Sequence, residues 1–175
     1  ELRDAMLAAS GSLNLKMGGR PVVPPLETEE LYGMSQPVGN AWIVTADTKE
    51  HDRRSIYLIS RRNFRVPLLE AFDRPEGVLS CSRRESSTTA PQSLSLLNGK
   101  LTLQKAASVA ASIETQPDPV AAAYRAILCR EPSTLDREKS LAFLSAQQTR
   151  LGSKRAALAE MVRALFNVNE FLYVE

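Results

Sequence analysis

Apolar positions recur at helical spacing through the second half of the chain. Val120, Tyr124, Ile127 and Leu128 fall at i, i+4, i+7 and i+8, with Asp118 as a cap and Pro119 opening the first turn. Leu158, Met161, Val162, Leu165, Phe166 and Leu172 continue one stripe after Gly152, and Leu101 to Ile113 forms an Ala-rich helix before them. Ser133 with Asp136 has capping-box spacing and starts a helix through Leu141 and Leu144; Thr89 with Gln92 does the same before the Asn98-Gly99 stop. These signals predict an antiparallel helical array with short connections over 99–175.

The first half reads differently. Leu2, Met6 and Leu7 mark one face of a short helix that stops at Gly11. Between 14 and 40, Gly18, Gly19, Gly33 and Gly39 are interspersed with Pro21, Pro24, Pro25 and Pro37, which predicts a long ordered loop; such loops are often functional, but one that simply wraps the core is the favoured reading. Ala41–Thr45 and Ser55–Ile59 are β-branched and aromatic, and the polar run between them predicts a pair of short strands. Val66–Phe72 suits a short helix started by Pro67 and ended by Pro75 and Gly77. The expected fold class is therefore mainly α-helical, α+β leaning to all-α, with a minor two-stranded element. One domain over 1–175 is expected: helix and loop over 1–40, a strand pair and Arg-rich block over 41–98, and the helical array beyond.

Composition narrows the function without naming it. The 175 residues are 43% hydrophobic and 24% charged, as in an ordinary globular domain. Lys+Arg at 22 against Asp+Glu at 20 leaves a net charge of +2, too small an excess for nucleic-acid binding by phosphate neutralisation. No apolar run approaches the roughly 18 residues of a membrane helix, so no direct membrane insertion is expected. The opening Glu1-Leu2-Arg3-Asp4 reads as mid-helix, so a fragment of a longer polypeptide is expected.

Side chains with chemical potential are scattered. His51 is the lone histidine, without partners at ligand spacing, and is expected to be a solvated loop residue. Gly33-Met34-Ser35 starts like a nucleophile elbow, but Pro37 takes the place of the second glycine. Asp47, Glu50 and Asp52 lack the glycine and terminal glutamate of a calcium loop, so no metal is expected. Glu70 and Asp73 could form a paired-carboxylate site, yet Arg61, Arg62, Arg65 and Arg74 flank them and favour ion pairing. Cys81, followed by Arg83 and Arg84, is the best nucleophile candidate because nearby guanidinium charge favours thiolate. No base lies in reach by sequence, so a small buried residue beside an arginine that ties down backbone carbonyls is the favoured reading, and no catalytic residue is expected. If Cys81 paired with Cys129, the closed loop would contribute on the order of 4 kcal/mol.

Arg61, Arg62, Arg83 and Arg84 are the leading ligand-binding candidates, through bidentate bonds to a carboxylate, sulfate or phosphate. Trp42 or Tyr57 would offer a stacking surface if the ligand were an acidic glycan; burial of Trp42 would count against this. Arg54, Asp73, Arg84 and Asn98 are expected to form a structural network joining the strands to the helices.

Several of these stretches together resemble a known family. LRDAMLAASGSLNLKMGG, RRSIYL, LLEAFDRP and SCSRRESSTTAPQSLSLLN follow in order, and YRAILCREPSTLDREKSLAFL and ALFNVNEFLYVE close the pattern. The chain is identified by them as similar to the planctomycete domain of unknown function 1553 family. Cys129 departs from that pattern, where a glycine is more usual. The resemblance implies an extracytoplasmic multidomain parent, with a companion domain upstream and, in many members, a cytochrome c domain. Without Cys-x-x-Cys-His here, any haem c belongs elsewhere in the parent, and no cofactor is expected in this part. The expected role is a non-catalytic interaction or scaffold domain whose partners are other domains of the same polypeptide. Part of a hydrolase-like enzyme completed by a missing N-terminal region, or an acidic-glycan module, are the alternatives.

Overall fold

The computed structural model of the chain describes residues 1–27, 29–31, 42–61, 64–75, 82 and 87–173. Its helices are α1 (Leu2–Ala9), α2 (Pro67–Ala71), α3 (Ala90–Asn98), α4 (Lys100–Ile113), α5 (Pro119–Leu128), α6 (Thr134–Leu151), α7 (Lys154–Leu165) and α8 (Asn169–Leu172). The chain divides into two compact units, one of Glu1–Ser12 with Leu96–Glu175 and one of Leu13–Ser95.

The first unit is a helical array in which α4 packs most extensively on α7, and α7 on α6. Thr102, Ala106, Val109, Ala110 and Ile113 turn the buried face of α4 inward, and Ala157, Leu158, Met161, Val162 and Leu165 do so on α7. α1 buries Met6 and Leu7 completely and packs against α4 and α5. The Thr102 hydroxyl lies 3.8 Å from the Met6 sulfur.

Local capping chemistry sets the boundaries. Asp118 Oδ1 accepts from Ala121 N at 3.0 Å. Ser133 and Asp136 form the reciprocal box, each side chain accepting from the other's backbone N–H at 3.1 and 3.0 Å. The helix that follows runs on past Leu144 to Leu151, where Gly152 takes the left-handed φ of 65°. α5 ends less comfortably, because Cys129 holds φ 55° and ψ 25° with a side chain attached. Cys129→Gly is therefore expected to raise stability by about 1 kcal/mol, roughly 2–4 °C in melting temperature, readable by thermal denaturation.

The second unit is built from turns around a small apolar core. Leu31, Trp42 and Val66 are buried, with Val23, Leu26, Ile59, Phe64 and Leu69 packed against them. The Trp42 and Phe64 rings meet edge-on at 5.0 Å, and the Trp42 indole N–H donates to Pro24 O at 2.8 Å.

The expected strand pair is not formed among the described residues. Ser55–Tyr57 is a 3₁₀ turn, and Trp42–Thr45 has no strand assignment. Each segment instead bonds to the glycine/proline stretch. Val22 N donates to Tyr57 O and Ile59 N to Val22 O, both at 2.8 Å, while Thr45 N donates to Val23 O at 3.1 Å. The only bridges among the described residues are parallel, Asn14 with Arg53 and Val22 with Leu58. Part of the expected long loop, 32–40 with residue 28, lies outside the described residues.

Candidate functional site

The Arg-rich stretch folds around Arg53, whose side chain is almost wholly buried at 1% exposure. Gly18 and Gly19, both at positive φ, bend the preceding chain so that its carbonyls face this arginine. Arg53 Nε and Nη2 donate to Lys16 O at 3.2 and 3.1 Å, and Nη2 also donates to Gly18 O. Nη1 donates to Glu50 Oε2 at 3.0 Å, and the guanidinium lies 4.1 Å over the Tyr57 ring. Glu50 also takes Lys16 Nζ at 2.7 Å; that bond, with Arg53 adding to it, holds its carboxyl below the usual range. The buried place is thus Arg53's. Arg54, the expected network member, is exposed as the residue before the 3₁₀ turn, because the paired arginines face opposite ways.

The remaining candidates are spread across separate contacts. Asp73 adopts φ 53° and accepts from Ser87 N at 2.6 Å and from Ser87 Oγ at 2.9 Å. Gln92, 4% exposed, donates to Ser87 O at 3.1 Å and accepts from Thr89 N at 3.2 Å. Glu70 faces Arg65 at 3.7 Å, so Glu70 and Asp73 are engaged by different partners rather than by each other. Arg74 donates to Ser60 Oγ at 2.5 Å. Arg61 lies 5.8 Å over the Trp42 ring, and Trp42 itself is only 5% exposed. That burial removes Trp42 as a platform for a sugar ring, and Arg53 already covers Tyr57. Asn98 ends α3 at the surface. Arg62, Cys81, Arg83 and Arg84 lie outside the described residues; Cys129 is an exposed free thiol.

His51 is half-buried and its Nε2 lies 2.7 Å from Thr45 O, a loop staple where a solvated residue was expected. Asp47 caps the 3₁₀ turn Thr48–Glu50 by accepting from Lys49 N at 3.0 Å. No group of three or more potential metal ligands occurs among the described residues.

Two polar clusters were missed from the sequence. Lys105, 9% exposed on α4, donates to Ser12 Oγ at 2.9 Å, and Ser12 Oγ lies 2.9 Å from Ser10 Oγ. The second centres on Arg130. Its Nε and Nη2 take Glu170 Oε1 and Oε2 at 2.6 and 2.9 Å, a bidentate pair. Its Nη1 takes Asp136 Oδ2 at 2.8 Å and Glu131 O at 3.0 Å, and the guanidinium lies 5.3 Å over Tyr124. The Arg-x-Pro step before the Ser133 box was the available signal for part of it; Glu170, forty residues on, had none.

Arg130 hydrogen-bonds the Asp136 carboxyl, and Ser133 adds its backbone N–H, which together push it down to about 2. Arg130 also lowers Glu170, and the Ala121 N–H with Arg137 lowers Asp118. Folded values below unfolded ones stabilise the protein above about pH 4, and that contribution is lost as pH falls through the folded values. The melting temperature is expected to hold steady down to about pH 5 and to drop below it. Asp136→Asn should melt lower near neutrality but lose less between about pH 4 and 2.

A family model described as a protein of unknown function (DUF1553) matches residues 1–144. The chain belongs to that family. No curated protein and no solved structure matches it. The DUF1553 match takes in Arg53, Asp73, Lys105 and Arg130 and stops within α6, short of Glu170.

Proposed function

We propose that this chain is a non-catalytic interaction or scaffold domain of an extracytoplasmic multidomain protein. Its partners are the other domains of the same polypeptide, and any haem is carried by one of those. The observation that carries the reading is the use made of Arg53 and its neighbours. Its guanidinium grips Lys16 O, Gly18 O and Glu50 and covers Tyr57, so the most buried cation among the described residues of the Arg-rich stretch holds the protein's own loops. Arg130 is likewise shared among Glu170, Asp136 and Glu131 O. Arginines committed to backbone carbonyls and internal carboxylates build a rigid platform rather than a ligand grip. The extracytoplasmic and haem-associated setting rests on the family resemblance.

Two measurements test this. Cross-linking of the full-length parent should join the exposed Lys100, Lys139 or Lys154 to residues outside this region. Only internal links would overturn the interaction role. A visible spectrum of the same protein, oxidised and then reduced, should show a haem Soret band that shifts; a featureless spectrum removes the haem association.

A further inference from the structure

The four residues of α8 are too few to hold helical structure by themselves. Their backbone bonds are Phe171 N and Leu172 N to Val168 O, at 3.0 and 3.3 Å, and Tyr173 N to Asn169 O at 2.8 Å. The side chains of Glu170 and Phe171 tie this turn to the helical array. Glu170 is held in the bidentate grip of Arg130, and the Phe171 ring sits 5.1 Å from Phe166, which is fully buried.

The grip is one-sided. Arg130 keeps Asp136, Glu131 O and the Tyr124 face when Glu170 leaves, so opening does not strand its charge. Glu170 is 46% exposed and meets water as soon as it lets go. The residue just ahead of Val168, the turn's cap, favours opening too. Asn167 Oδ1 is shielded from solvent without a hydrogen-bond partner among the described residues, a cost that release would relieve.

We propose that α8 is an electrostatically latched strap, opening and closing as a unit over Phe166 while α4, α5 and α7 stay folded. Among the described residues, the ion pairs at the latch join Arg130, in the connection between α5 and α6, to Glu170 on α8 and Asp136 on α6, while Glu131 in the same connection pairs with Arg125. Added salt screens such a half-exposed pair and shifts the strap toward open.

Amide hydrogen exchange on the intact protein tests it through the N–H groups of Phe171, Leu172 and Tyr173. Glu170→Gln leaves the Arg130–Asp136 pair in place. It should speed those three amides roughly two- to fivefold at low salt, with α4, α5 and α7 unchanged. High salt should speed them in the unsubstituted protein and have little effect in the variant. Phe171→Ala should exchange faster throughout yet keep its salt dependence. Unchanged strap exchange in Glu170→Gln, equal acceleration across α5 and α7, or a salt-insensitive Phe171→Ala would each overturn the latch.

Discussion

Arg53→Met is expected to cost about 3–5 kcal/mol, most of the stability of the Leu13–Ser95 unit. Methionine fills much of the volume but offers nothing to the carbonyls of Lys16 and Gly18 or to Glu50. The part-buried carbonyls of Lys16 and Gly18 lose their donor, and one that water cannot then reach costs about 1–3 kcal/mol, while Glu50 keeps Lys16. The contact over Tyr57 is lost as well. The chain carries a single tryptophan, Trp42, and it sits in the core of this unit, so its fluorescence reports the right transition. Urea unfolding followed by that signal should shift to a much lower midpoint, or show no folded baseline. Arg53→Lys should recover less than half of the loss, because one ammonium on a flexible stem cannot span two carbonyls and a carboxylate together. A midpoint unchanged in Arg53→Met would show that the clamp is ornamental and remove the main support for the scaffold reading.

The parts of this fold legible in the sequence are those encoded within about four residues. Asp118, the Ser133–Asp136 box and Gly152 mark helix boundaries because a cap acts on its own helix's unpaired N–H or C=O groups. The helical stripes were legible for the same reason, since one apolar face needs only its own periodicity. Strand pairing carries no such local instruction. Ile43 and Ile56 have the right side chains for a sheet, yet both are more than 70% exposed, because the loop holding Val22 and Val23 supplies the partners instead. The site divides along the same line. Paired arginines at 53 and 54 announce a structural cation, but which one turns inward depends on the parallel bridge from Asn14. Arg130 with Glu170 and Lys105 with Ser12 are joined across long stretches of chain, and neither pair has a spacing rule to betray it.

A chain ending at Leu144, where the family match stops, is expected to have no cooperative helical transition at all. The cut leaves α6 short of its Gly152 stop and deletes α7, the helix packed most extensively on α4. Leu158, Met161, Val162, Leu165 and Phe166 are each 6% exposed or less and go with it. At about 1.5–3 kcal/mol for each large apolar side chain, their burial represents roughly 8–15 kcal/mol. That equals the net stability of a typical domain. Polar ties are lost in the same stroke, Arg163 to Leu97 O at 3.2 Å and Lys154 to Glu114 O at 3.1 Å. Circular dichroism during heating separates the outcomes: a gradual, featureless loss of helix is expected for the shortened chain against a sharp melt for the full one. Phe166→Ala in the full chain provides the graded form of the same test, at about 3–5 kcal/mol for a completely buried phenylalanine. A shortened chain that melted sharply near the full-length temperature would make α7 peripheral. The expected failure instead places the physical end of the domain beyond the family boundary, because Val109 and Ile113 on α4 need α7 to keep them from water.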